Sequence, residues 1–263
     1  MPTTDRILRK FGIPAALVAA LAMTAGCAGE SNFVVQEKLP TIAHVHVGHA
    51  NTGWKQTPDQ KGLFTTAEAE AQAALTHARA AVAAGSDLTR IKSETAAVVY
   101  AITAEGRATG SGLGFGLKKA LAEAGDHILF AAESDDASEN VRQFAGRFQT
   151  DSAVVIERCD LVLALAQDVI LSGKAEDAAA LAEEIGIQTA LIVDATSGNA
   201  ASSGEGDIGL VQLRQEMDAM IAREDPPYRP VARKYLFGLI RLPDGKWTFS
   251  WLTNQAPSEE GHY

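Results

Sequence analysis

Apolar residues return along most of this chain at intervals of three and four, and alanine fills many of those positions. That period belongs to helices with one buried face, and small side chains let helix axes pack closely. Ala71, Leu75, Ala78 and Val82 make the first stripe, opened by a Thr65–Glu68 capping-box pattern and closed at Gly85. A second helix is predicted over 87–104, carrying Ile91, Val98, Val99 and Ile102. A third covers 115–133, with Leu117, Leu121, Ile128 and Leu129. Asp136 with Glu139 repeats the capping-box pattern and opens a fourth at 137–149. Further helices are predicted over 152–171, 174–194 and 208–224, the last stopped by Asp225-Pro226-Pro227. Asp207 is read as its cap.

Two segments break the helical period. Thr41-Ile-Ala-His-Val-His-Val47 alternates and is β-branched, which predicts a strand. Tyr235–Leu242 and Lys246–Leu252 flank Pro243-Asp244-Gly245, which predicts a hairpin over 235–252. Trp247, Phe249 and Trp251 share one face of it, and that face is expected to pack on the helices, the alternative being an exposed aromatic docking surface. The fold class is therefore mainly α: a bundle of six to seven helices with a small β element, an N-terminal strand plus a C-terminal hairpin. Residues 41–263 are read as one domain.

The first 27 residues follow a different logic. Arg6, Arg9 and Lys10 precede an apolar run from Phe11 to Ala22, too short to span a bilayer. Small residues then end in Thr24-Ala25-Gly26-Cys27. This resembles the lipobox signal of bacterial lipoproteins, with Thr24 where leucine is most common. The resemblance implies that 1–26 is a signal peptide, that Cys27 is lipidated, and that 27–40 is a tether. It implies a periplasmic, membrane-anchored protein. Ala28 after the cysteine, in place of aspartate, implies sorting to the outer membrane.

The formal charge is −10, and the leader is its basic part, so the processed chain is more acidic still. Such a charge repels nucleic acid and anionic headgroups and favours cations. Only Cys159 remains beside Cys27, and it falls on a stripe with Val155, Val162 and Ala166, as a small core hydrophobe does. No Cys-x-x-Cys-His occurs, which excludes haem c of the usual kind.

Chemistry concentrates in the histidines. His44, His46 and His49 lie within six residues. On a strand His44 and His46 point the same way, and Gly48 lets the chain turn so that His49 joins them. Imidazole suits copper and zinc. His77, and His127 four residues after Glu123, are candidate further ligands from the helices. The segment 194–205 has the length of a calcium loop, with Asp194, Thr196 and Glu205 in ligand positions. Gly198 and Asn199 depart from that pattern, so calcium is disfavoured. The glycines of 106–116 meet neither dinucleotide-fold nor P-loop spacing and are read as a flexible connector. No nucleophile elbow or reactive-cysteine context is present, so binding is favoured over catalysis. Two readings follow: an exported metal-binding lipoprotein, or an accessory lipoprotein that binds another envelope protein without metal.

Overall fold

The computed structural model describes residues 34–35, 41–106, 108, 110–197, 208–225, 227–228, 231–234, 236–241 and 247–252. The leader, Cys27, the 243–245 turn, Asp207, His262 and most of the 194–205 loop lie outside them. The helices are α1 (Ile42–Asn51), α2 (Leu63–Ala83), α3 (Leu88–Thr103), α4 (Leu117–Glu133), α5 (Glu139–Leu171), α6 (Ala175–Val193) and α7 (Leu210–Ala222). The strands are β1 (Val34–Val35), β2 (Val231–Lys234), β3 (Leu239–Arg241) and β4 (Trp247–Phe249), side by side in that order. The chain is thus a mainly helical bundle with a small β element. Among the described residues no helix is long and apolar enough to cross a membrane.

Helix α5 runs through the bundle and packs on α3, α4, α6 and α7. It has 33 residues, so its length is about 50 Å. The expected break near 150 does not occur. Val141, Phe144, Phe148, Ser152, Val155, Cys159, Val162, Ala166 and Val169 form one unbroken buried stripe. Thr150, at the expected break, is exposed and donates to the Gly146 carbonyl, so it interrupts nothing. Phe64 and Phe144 each meet Phe148, with ring centroids 5.6 and 5.4 Å apart. Burial pushes the Cys159 thiol up to about 12, which keeps it protonated in the core.

Both predicted capping boxes are something else. Helix α2 begins at Leu63 with Gly62 as its N-cap. A Cβ on Gly62 would lie 2.3 Å from the Asn51 backbone, so only glycine allows α1 and α2 to cross there. Thr65 Oγ1 instead donates to the Asn51 carbonyl. Glu68 takes a bidentate bond from Arg214 at 2.9 and 2.6 Å, joining α2 to α7. The N-cap of α5 is Ser138, and Asp136 caps a different helix, as described below.

The glycine-rich segment before α4 does cradle an anion, and the anion is the protein's own Glu70. This buried carboxylate accepts N–H bonds from Leu113 (2.9 Å), Phe115 (2.8 Å) and Gly116 (2.9 Å). A Cβ on Gly112 would meet Glu70 Oε2. Residues 113–116 are therefore clamped where a flexible connector was expected, with the carboxylate bonded to the N-cap residue of α4.

The β element is partly as expected. β3 and β4 pair antiparallel, Leu239 opposite Phe249 and Arg241 opposite Trp247. β2 pairs antiparallel with β3, and β1 runs parallel to β2. An N-terminal strand does join the C-terminal sheet, but it is 34–35, not 41–47. Nor does the aromatic face pack on the helices: Trp247, Phe249 and Trp251 are 53%, 37% and 63% exposed.

Replacing Glu70 by alanine strands two buried amide donors, those of Phe115 and Gly116, at about 1–3 kcal/mol each, and also releases the part-buried Leu113 N–H. Glu70→Ala is expected to lose roughly 3 kcal/mol or more in urea unfolding, with Glu70→Gln recovering part. A loss below about 1 kcal/mol would contradict the clamp.

Candidate metal centre

Residues 42–51 form a helix because three helical signals outweigh their alternation. Ala43, Val47 and Ala50 fall at spacings of four and three, and all are buried. Thr41 caps the start by accepting from the His44 N–H. Asp136 then accepts from the Ile42 and Ala43 N–H groups at 2.6 and 3.0 Å. Burial pushes the Asp136 carboxyl up, but these backbone bonds and the nearby His44 outweigh it and hold the group below its ordinary range.

A helix redistributes the three neighbouring histidines. Positions 46 and 49 share a face, whereas 44 is turned away from 46 by about 200°. The expected convergence of His44 with His46 is therefore overturned. His44 is buried, with Nε2 3.0 Å from Glu224 Oε2. Glu224 Oε1 also accepts from Ser138 Oγ (2.7 Å) and Asn140 Nδ2 (2.6 Å). His44 is thus a latch that ties α1 to the end of α7. His77 pairs with Glu94 at 2.9 Å, linking α2 to α3. Glu123 meets Lys119 at 3.7 Å.

The face of α1 that carries His46 and His49 packs on α4, which brings in His127. One ligand atom from each of His46, His49 and His127 lies within 4.8 Å of the other two. His46 Nδ1 and His127 Nδ1 are 3.1 Å apart. Nitrogens gripping one tetrahedral zinc ion sit about 3.3 Å apart, so this pair already has that spacing. The widest separation in the triad needs to close by about 1.5 Å, within reach of a small ring rotation. Both Nδ1 lone pairs must then face the ion, with the protons on Nε2.

The alternation pattern also hid the walls of the site. Trp54 packs against His49 at a tilt and against His127 edge-on, with centroids 4.5 and 4.7 Å away. Phe130 lies 5.6 Å from the His46 ring and 5.9 Å from that of His127. His127 and Phe130, three residues apart on α4, could have been paired from the helical period alone. Trp54 comes from the loop after α1, and its Nε1 is buried with no acceptor among the described residues.

Electrostatics favours neutral rings. Burial lowers the His46 pKa. Burial and the neighbouring His46 lower that of His127, with Asp126 pulling weakly the other way. Neutral imidazole is the ligating form. At the start of the 194–205 segment, where the sequence disfavours calcium, the Asp194 carboxylate accepts from Gln212, the Thr196 N–H and the Thr196 hydroxyl.

Comparison of the chain with family models, with curated proteins and with solved structures gives no match.

The lowered histidines set a pH dependence. The unfolded chain takes up protons first, near the ordinary value of 6.5. Stability is complete above that value and declines as pH falls through the window towards the lower folded pKa values. NMR titration should place His46 and His127 below 6.5, and His46→Gln should flatten the decline. A midpoint above 6.5 for either ring would contradict the burial argument.

Proposed function

We propose that this is an exported, lipid-anchored periplasmic protein that holds one copper or zinc ion through His46, His49 and His127. The observation that carries the metal reading is three imidazole donors from two packed helices within 4.8 Å of one another. The lipobox-like leader ending at Cys27 supports the anchor and outer-membrane sorting. His44 and His77, engaged by Glu224 and Glu94, serve the fold in this reading.

Three neutral nitrogens suit a borderline ion such as zinc or copper(II), and they offer no hard oxygen set for calcium. Three protein ligands leave a fourth position for water or an exchangeable group. That arrangement serves storage or transfer of the ion, and a metal-activated water would be its enzymatic use. The three ligands carry no charge of their own, and Asp126 beside His127 and the acidic character of the whole chain offset that of the ion.

A second reading, an accessory lipoprotein that binds another envelope protein without metal, draws on the exposed aromatics of the C-terminal sheet. Metal content of protein purified without a His tag separates the two. Wild type is expected to retain about one equivalent of zinc or copper, and His46→Ala/His127→Ala none. His44→Ala is expected to keep the metal while losing stability. Negligible metal in wild type and double variant alike would support the accessory reading.

A further inference from the structure

We infer that the aromatic face of the C-terminal sheet docks on an anionic phospholipid bilayer, the one in which Cys27 is anchored. The inference takes its anchor from the lipoprotein reading above, and its contact surface from the sheet.

Trp247 and Phe249 occupy alternate positions on β4 and so point the same way. Trp251 stacks on Phe249, with centroids 4.3 Å apart and planes at 18°. Phe237, in the turn between β2 and β3, is 90% exposed, and Leu252 is 68% exposed. Large aromatics presented together at a surface mark a contact site. Tryptophan in particular favours the bilayer interface, where its ring is buried and its N–H stays wet.

Two further observations select a lipid surface. The first is charge. Between 229 and 252 the chain carries Arg229, Arg233, Lys234, Arg241 and Lys246 against Asp244 alone. A cationic segment rich in aromatics inside an acidic protein complements anionic headgroups, which attract each nearby Lys or Arg. The acidity of the whole chain conceals this local reversal. The second is tether length. Cys27 lies seven residues before Val34, and β1 pairs with β2 of the same sheet. Fully extended, that stretch spans at most about 25 Å. An acylated Cys27 therefore holds this sheet, more closely than any helix of the bundle, to the membrane surface. A short tether raises the effective concentration of the face at the bilayer, so modest intrinsic affinity suffices.

The test uses the full chain with Cys27→Ser, which removes acylation, and Trp54→Phe, which leaves Trp247 and Trp251 as the fluorophores. Binding to phosphatidylcholine vesicles with and without phosphatidylglycerol is read by co-sedimentation and by tryptophan quenching with brominated lipid. The expected result is a blue shift and quenching that require phosphatidylglycerol. Replacing Phe237, Trp247, Phe249 and Trp251 by serine should weaken sedimentation at least about tenfold at unchanged helical circular dichroism. A second variant, Arg233→Gln/Lys234→Gln/Arg241→Gln/Lys246→Gln, should lose the phosphatidylglycerol dependence with the aromatics intact. Tryptophan emission indifferent to vesicles, or a shift that appears without vesicles as protein concentration rises, overturns the inference. The latter would assign the face to a second copy of the chain. Mass analysis of Cys27 in the wild-type protein reads the anchor separately. An acylated Cys27 with tryptophans that ignore vesicles sinks the docking alone, and an unmodified Cys27 sinks the anchored reading.

Discussion

The seating of α1 on α4 is the constraint on which the candidate centre depends. Neither helix alone carries three ligands: α1 brings His46 and His49, and α4 brings His127. Their approach is set by Ala43, Val47 and Ala50 buried beneath α1, by Asp136 bonded to its first amides, and by His44 bonded to Glu224 at its far face. Gly62 lets the chain cross close against the backbone of Ala50 and Asn51 at the end of α1. A ten-residue helix is marginal in isolation, so these contacts are what make it a platform.

A common device recurs around that platform. Carboxylates from distant parts of the chain bond amides at or just before helix N-termini. Glu70 fills the amides before α4, and Asp136 those of α1. Each such bond closes a long loop while neutralising the positive end of a helix. Glu224 does the same for side-chain donors, gathering His44, Ser138 and Asn140. The acidic residues, which outnumber the basic ones, are thus partly internal fasteners.

Much of the helical framework was legible because buried positions repeat every three or four residues over long stretches. Helices α2, α3, α4, α6 and α7 lie close to where periodicity places them. Several of the errors share one cause: short-range patterns that tertiary partners reassign. His44-Val-His-Val alternates like a strand over a window too short to tell two periods apart, and Asp136, ninety-odd residues away, decides for the helix. Thr65 and Glu68 have capping-box spacing, but Asn51 and Arg214 claim them. The sequence pointed to His46, His49 and His127 as donors, but with them to His44 and His77, because spacing along the chain does not show which face a side chain leaves from. Trp54 was invisible for the opposite reason: a single aromatic in a loop has no period to betray it.

The central claim concerns coordination, and X-ray absorption spectroscopy of the zinc- or copper-loaded full chain reads it most directly. The account predicts a first shell of three imidazole nitrogens at about 2.0 Å with one further light atom, and the characteristic outer-shell scattering of histidine rings. An oxygen-dominated shell of six ligands without imidazole scattering, or a spectrum unchanged in His46→Ala/His127→Ala, would contradict it.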